Sequence, residues 1–223
     1  VSKYDQGATQ AKVLEIVYNE QDLQAILAEG RRVFALQLAI IVAIAVALSI
    51  IISRWVAKPM YLAFHDSLTG LNNRAALDEL LGTALANHNG TTALLMIDLD
   101  NFKQVNDCLG HDKGDQLLKC AAQSIRRIAR KKDHAIRIGG DEFLLIMPSA
   151  SRQEAEQTAR LIIEAVVASS AQEAKLEGEK VTVSIGIALS PQHGLDPDTL
   201  LKRADLAMYM AKEKGKNQYQ VYA

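Results

Sequence analysis

The spacing of hydrophobic and polar residues changes several times along this chain, and each change marks an element. Over residues 13–27 apolar positions recur at helical spacing (Val13, Leu14, Ile16, Val17, then Leu23, Ile26, Leu27) among Glu, Gln and Asp. That pattern predicts an amphipathic helix or helix pair, a stalk within residues 1–32. Residues 33–52 then run without a charge, between Arg31-Arg32 and Arg54…Lys58. A core helix seldom stays apolar on every side for so long, and the apolar run of a signal peptide is shorter and lies at the very start. About twenty such residues cross the hydrocarbon of a bilayer, so 33–53 is expected to be a single transmembrane helix. Basic residues flank both of its ends, so charge alone does not orient it. In the joint that follows, 54–65, Lys58-Pro59 is expected to break or kink the helix.

From Asp66 onward the pattern alternates between helix and strand. Residues 72–86 predict a helix, 92–97 a buried strand, 104–108 a short helix and 114–130 a long one. Two apolar runs on either side of Gly139-Gly140 predict a β-hairpin, because glycine tolerates the positive φ of a tight turn. Its second run, Phe143-Leu144-Leu145-Ile146-Met147, is apolar throughout and should lie in mid-sheet. A helix over 152–168, a strand over 181–188, a helix over 197–214 and a last strand over 218–222 complete the order. Helices on a sheet that contains a hairpin make an α/β (α+β) domain over 66–223, with a central mixed, mainly antiparallel sheet flanked by helices. There is no GxGxxG turn and no Walker loop.

Composition narrows the function. The 223 residues suffice for one good-sized domain and an appendage, and the opening Val1 leads one to expect a piece of something longer. A net charge of −1 and 5% aromatic residues give no case for nucleic acid as a partner. Cys108 and Cys120 lack metal-ligand spacing and are expected to be reduced packing residues; the five histidines form no cluster.

The candidate chemistry is acidic and basic by turns. An acid at the end of a buried strand costs desolvation energy unless it holds a cation or a hydrogen bond. Asp98-Leu99-Asp100 ends such a strand. Placed beside the hairpin, Asp98 would meet Asp141 and bind Mg²⁺, with the Leu99 carbonyl as a further oxygen ligand. Asp100, ahead of Asn101-Phe102-Lys103, reads equally well as a helix N-cap. Folding does not require Asp141-Glu142 at a hairpin tip, whereas the bare backbone of Gly139-Gly140 beside carboxylates suits a metal-bound phosphate. Lys103, near a helix start, can pair with phosphate oxygens together with backbone N–H groups. Asn106 and Asp115 are candidates for a guanine base. A carboxylate can accept from guanine N1–H and the 2-amino group together, a pattern adenine lacks. Each of the two, taken alone, also reads as an ordinary cap or turn residue.

Several blocks in order resemble one family. Arg137-Ile138-Gly139-Gly140-Asp141-Glu142-Phe143 resembles the motif that names the GGDEF family, the diguanylate cyclases. Asp66-Ser67-Leu68-Thr69-Gly70-Leu71-Asn72-Asn73-Arg74 resembles that family's DxLTGLxNR opening. Asp98-Leu99-Asp100-Asn101-Phe102-Lys103…Asn106-Asp107…Gly110-His111…Gly114-Asp115 resembles its DxDxFKxxND…GH…GD block. Val183-Ser184-Ile185-Gly186-Ile187-Ala188 resembles its late strand, and Ala204-Asp205…Met208-Tyr209…Ala211-Lys212…Gly215-Lys216-Asn217 its closing helix.

The resemblance implies a palm-like fold akin to nucleotide cyclases and polymerases. It also implies an antiparallel homodimer that presents two GTP molecules to one another and joins them into cyclic di-GMP with release of two pyrophosphates. Carried over by position, Asp98, the Leu99 carbonyl and Asp141 would bind Mg²⁺, with Mn²⁺ as an alternative. Asn106 and Asp115 would bind guanine, and Phe102, Lys103, Lys212 and Lys216 would line the triphosphate beside Gly139 and Gly140. Asp141 would be the base, with Glu142 and Lys103 assisting. The family usually has Arg where Lys216 stands, so the planar fork is lost and the charge kept. A cytoplasmic cyclase domain would place residues 1–32 on the outer side of the inner (cytoplasmic) membrane, with regulation through the membrane segment.

Arg130-Lys131-Lys132-Asp133 stands in the register of the inhibitory product site of many such cyclases. Its plainer reading is the basic last turn of a helix (Arg126, Arg127, Arg130, Lys131). Two other functions compete with the cyclase: a silent cyclic di-GMP receptor using Arg130 and Asp133, and a membrane module that only dimerises. The receptor reading would lead one to expect a damaged hairpin motif or a missing Asp98, and both are intact.

Overall fold

The computed structural model describes residues 20–86, 90–174 and 181–223. Residues 1–19, which include positions 13–19 of the predicted stalk helix, lie outside the described residues. Two units divide the chain, residues 1–57 and 58–223. In the first, α1 (Glu20–Phe64) begins; within it Leu23–Ser53 is long and apolar enough to cross a membrane, and no part of it is buried. Val33, Phe34, Ile41 and Ile52 are all at least half exposed. The expected break at Pro59 is absent: α1 remains helical to Phe64.

The second unit is built on a six-stranded sheet. Its strands are β1 (Asn72–Asn73), β2 (Thr92–Leu99), β3 (His134–Gly139), β4 (Glu142–Met147), β5 (Val183–Ser190) and β6 (Tyr219–Val221), in the order β1-β3-β4-β2-β5-β6. β2 runs antiparallel to β4 and β5, and β3 antiparallel to β4. The two outermost pairs, β1–β3 and β5–β6, are parallel. The sheet is therefore mixed and mainly antiparallel, as the sequence pattern predicts. β2 and β5 are buried at every residue, which explains why neither shows a polar alternation.

Period two divides these strands between two cores. Leu95, Ile97, Leu99, Phe143, Leu145, Ile185 and Ile187 face one side, against α3 (Phe102–Leu109), α4 (His111–Ile128) and α5 (Arg152–Ala174). Leu94, Met96, Leu144, Ile146 and Ala188 face the other, against α2 (Leu77–Ala86) and α6 (Pro197–Glu213). Each fully buried Leu or Ile contributes about 1.5–3 kcal/mol. Asp98 continues the even-numbered series of β2 and so comes out on the α6 side.

The structure moves several predicted boundaries. The helix expected from residue 72 starts at Leu77. Asn72 and Asn73 pair with Ile136 and Arg137, and Asn73 Oδ1 then accepts from Ala75 N–H at 2.9 Å, opening a 3-10 turn over Arg74–Ala76. Gly110, at φ 84°, separates α3 from α4. The expected basic last turn extends only through Arg126 and Arg127, because α4 ends at Ile128 and leaves Arg130 and Lys131 beyond it. Cys108 is exposed and does not pack in the core; Cys120 is half-buried, and neither forms a disulfide among the described residues.

Candidate active site

β2, β4, α3 and α6 meet at the carboxyl end of β2. Asp98 pairs across the sheet with Glu142, and Leu99 N–H donates to the Asp141 carbonyl at 3.2 Å, which fixes the hairpin turn against β2. From α6, Lys212 Nζ reaches Asp98 Oδ1 at 2.8 Å. Leu200, Ala204 and Met208 point into the α6-side core at helical spacing, and Lys212 is the next residue of that series. Burial pushes the Asp98 carboxyl up to about 6, against the opposing pull of Lys212 and with further upward pressure from Asp141 and Glu142.

A cavity of about 180 Å³ opens here, lined by Asp98, Leu99, Asp100, Asn101, Phe102, Lys103, Asp141, Lys212 and Lys216. It is smaller than an ordinary ligand pocket of about 300–1,000 Å³, so it suits the phosphate end of a nucleotide with the remainder along the surface. Lys216, in the left-handed region at φ 62°, donates from Nζ to Asn101 Oδ1 at 2.6 Å. The Phe102 ring is buried in the core, so towards an anion it can offer its backbone N–H at the start of α3.

Among the described residues no three acidic, imidazole or thiol side chains converge to hold a metal unaided. Two carboxylates and a carbonyl, completed by phosphate oxygens, are nonetheless the donors Mg²⁺ ordinarily uses in nucleotide sites. The Lys212 ammonium against Asp98 marks the position as one that takes a cation. The residues therefore fit the ion.

Asp100 is not the N-cap of α3, and its carboxylate is engaged elsewhere. Asn101 occupies the cap position, and the Asp100 carboxylate accepts from Thr182 Oγ1 (2.6 Å), Ser184 Oγ (2.7 Å) and Asn217 N–H (3.2 Å). Asn106 and Asp115 lie outside the cavity, where α3 packs on α4; the Asn106 amide rests against Gly114, the residue before Asp115. The hairpin turn is one residue later than expected: Gly139 ends β3 and pairs with Glu142, and Gly140, exposed and with a positive φ of 53°, makes the turn with Asp141.

Sequence reasoning assigned no role to Arg137 or Asp66. The Arg137 guanidinium donates to the Gly140 carbonyl at 2.7 Å and to both Asp66 carboxylate oxygens at 3.1 and 3.2 Å. It thus braces the turn that carries Asp141 and Glu142 against the Asp66–Leu71 loop. Burial would raise the Asp66 carboxyl, but the Thr69 hydroxyl and N–H and the Arg137 charge outweigh it and hold it below its ordinary value. The signal available in the sequence was that Asp66 and Arg137 each open a motif.

Arg130 and Asp133 lie apart from this centre, on a cavity of about 350 Å³ that Arg126, Lys131, His65 and His134 also line. They hold one another. Asp133 accepts from the Arg130 backbone N–H at 2.8 Å and from its guanidinium at 2.9 Å, while Arg130 Nη1 reaches Glu154 at 3.2 Å.

Residues 63–218 match the family described as diguanylate cyclase, GGDEF domain. The diguanylate cyclase TpbB of Pseudomonas aeruginosa is 43% identical over 161 residues, 69% of this chain and 36% of TpbB. The cyclic di-GMP phosphodiesterase PdeR of Escherichia coli is 40% identical over 163 residues, 72% of this chain and 24% of PdeR. The chain therefore spans about a third or less of the length of these relatives. The coiled coil and GGDEF domain of DgcB from Caulobacter crescentus, in complex with c-di-GMP, superposes with a TM-score of 0.73 at 30% identity, covering 82% of this chain and 98% of that one. With the fold, the hairpin motif and the matched span in agreement, the chain belongs to the GGDEF-domain family.

Proposed function

We propose that this chain carries the catalytic unit of a membrane-anchored diguanylate cyclase, which condenses two GTP into cyclic di-GMP and two pyrophosphates. One observation carries the reading: Asp98, Asp141 and Glu142 stand together at the β2–β4 junction, ringed by Lys103, Lys212 and Lys216. Carboxylates beside lysines suit the metal and phosphates of a nucleoside triphosphate and serve no purpose in packing.

Each 3′-oxygen bonds to the α-phosphorus of the other nucleotide, the bond from that phosphorus to the β-phosphate bridging oxygen breaks, and pyrophosphate leaves. The Asp141 carboxylate accepts the proton of the attacking hydroxyl, and Glu142 helps to position it. Lys103, Lys212 and Lys216 hold the triphosphate, with Lys216 as a point charge where the family usually has an arginine fork. Asp98, Asp141 and the Leu99 carbonyl would hold Mg²⁺ or Mn²⁺, which supplies charge neutralisation and alignment of attacking and leaving oxygens. Asn106 and Asp115 select guanine. Two such domains must face one another, so the working form is a homodimer. Residues 33–53, within the apolar stretch Leu23–Ser53, anchor it in the inner membrane with the cyclase in the cytoplasm, and residues 1–32 lie outside as the end of a sensory region that regulates it.

A second role is supported by the cavity at Arg130. Its lining of Arg126, Arg130 and Lys131 suits an anion, and Arg130 with Asp133 would take cyclic di-GMP as an inhibitory product. The full chain, solubilised and given GTP and Mg²⁺, should form cyclic di-GMP, and Asp141→Ala should not. A folded, dimeric parent that makes none overturns the cyclase reading. Retained cyclic di-GMP binding, lost on Arg130→Ala, would then identify a receptor.

A further inference from the structure

Gly114 is the fourth residue of α4, buried, and its backbone is ordinary helix. Nothing in its conformation calls for glycine, and alanine would suit the helix better. What excludes a side chain is a neighbour. A Cβ on Gly114 would stand 1.8 Å from Asn106 Oδ1, 2.9 Å from Asn106 Cγ and 3.2 Å from Phe102 Cζ. The Asn106 amide therefore occupies the volume that any side chain at 114 would fill.

The amide lies there in a defined sense. Asn106 Oδ1 is buried and has no hydrogen-bond partner among the described residues. An oxygen can rest against a glycine Cα–H as a weak acceptor, whereas an NH₂ in the same place would set donor against donor. With Oδ1 inward, Nδ2 is the end left to meet a ligand. Asp115, the next residue along α4, is exposed. A donor and a carboxylate acceptor thus stand side by side. Guanine offers an acceptor at O6 and donors at N1 and the 2-amino group, while adenine has an amino donor where guanine has O6.

We propose that Gly114 is a positioning residue for base recognition: by lacking a Cβ it admits the Asn106 amide with Oδ1 inward, so that Nδ2 faces the base as a donor beside the Asp115 carboxylate. The proposal rests on reading Asn106 and Asp115 as guanine contacts. It adds that the orientation of one amide, set from behind by a glycine on another helix, separates guanine from adenine.

The test is calorimetric, on the full chain in detergent with Mg²⁺, using 3′-deoxy-GTP and 3′-deoxy-ATP, which lack the attacking hydroxyl and are not turned over. Gly114→Ala should bind 3′-deoxy-GTP about tenfold more weakly, the worth of one hydrogen bond, with a smaller preference over 3′-deoxy-ATP and no fall in melting temperature. In turnover of GTP, KM should rise with kcat little changed. Asn106→Ala should weaken 3′-deoxy-GTP binding comparably, and adding Gly114→Ala to it should cost no further affinity, because the amide that the methyl group displaces is then already gone. Unchanged affinity in Gly114→Ala, or additive losses in the double variant, overturns the proposal. If Gly114→Ala alone folds poorly, the double variant decides: affinity equal to Asn106→Ala supports the proposal, and weaker affinity overturns it. If Asn106→Ala binds 3′-deoxy-GTP as the parent does, the base-contact reading itself fails and the proposal with it.

Discussion

Asp98 and Asp100 are two residues apart, both nearly fully buried, and their chemistry is opposite. The carboxylate of Asp100 is satisfied by two hydroxyls and an N–H, whereas burial and two neighbouring acids disfavour the charge on Asp98. Asp100→Asn should therefore lose about 1–3 kcal/mol in urea denaturation, since an amide sets an NH₂ against one of those donors. Asp98→Asn should change stability by less than about 1 kcal/mol yet reduce cyclic di-GMP formation by at least about a hundredfold. Equal stability losses at both positions would contradict this division. The sequence put Asp98, Asp141 and the three lysines into one site because motif and strand period place them there. The roles of Asp100 and of the Lys212–Asp98 pair were illegible, since their partners are brought from β5 and α6 by packing alone. His193 offers a pH test outside the site. Its Nδ1 accepts from Leu189 N–H at 3.0 Å, and burial, with Arg152 and Arg203 nearby, lowers its pKa below the ordinary 6.5. A base depressed by folding binds protons more readily when unfolded, so its contribution is complete above about pH 6.5 and falls away as pH drops below it. Asp98 titrates in the same range with the opposite sign, so the quantity to measure is the difference from His193→Gln, in which Asp98 cancels. The parent should lose more stability than His193→Gln between pH 7.5 and 5.5.

At the scale of elements, the turn that carries Asp141 depends on a brace from outside the hairpin. A two-residue turn with Gly140 in the left-handed region is soft, and the register between Arg137 and Gly139 already shifts. Arg137 stiffens it by joining the Gly140 carbonyl to the Asp66 carboxylate. Arg137→Ala and Asp66→Ala should each lower stability by about 1–2 kcal/mol and turnover by at least about tenfold. The double variant should lose little more than either single one. Fully additive losses in denaturation and in turnover would mean that the two act separately. The long periodic helices and the apolar strands were legible because their patterns repeat, most to within a few residues, while α5 runs six residues past its expected end. β1 was not, since Asn72-Asn73 has no strand signature and exists as a strand through its pairing with β3. At Pro59 the break, one of the two expected outcomes, does not occur: proline discourages a helix locally, and α1 is long enough to carry it.

At the scale of the whole molecule, the proposed reaction joins two GTP held by two such domains, so on that reading the encounter between domains should limit the rate when chains are sparse. A helix long and apolar enough to span a bilayer changes how that limit is met. Chains held in one membrane search a surface instead of a volume, and their effective concentration is set by area per chain. If the homodimer forms by such encounters, cyclic di-GMP formation per chain in proteoliposomes should rise with the protein-to-lipid ratio and then level off once most chains are paired. Diluting the vesicles at a fixed ratio should leave it unchanged. In detergent, where each micelle carries its chain away, dilution should lower activity per chain. Activity per chain that stays constant across both series would instead indicate a dimer too tight to part, and regulation would then have to act by reorienting paired domains rather than by assembling them.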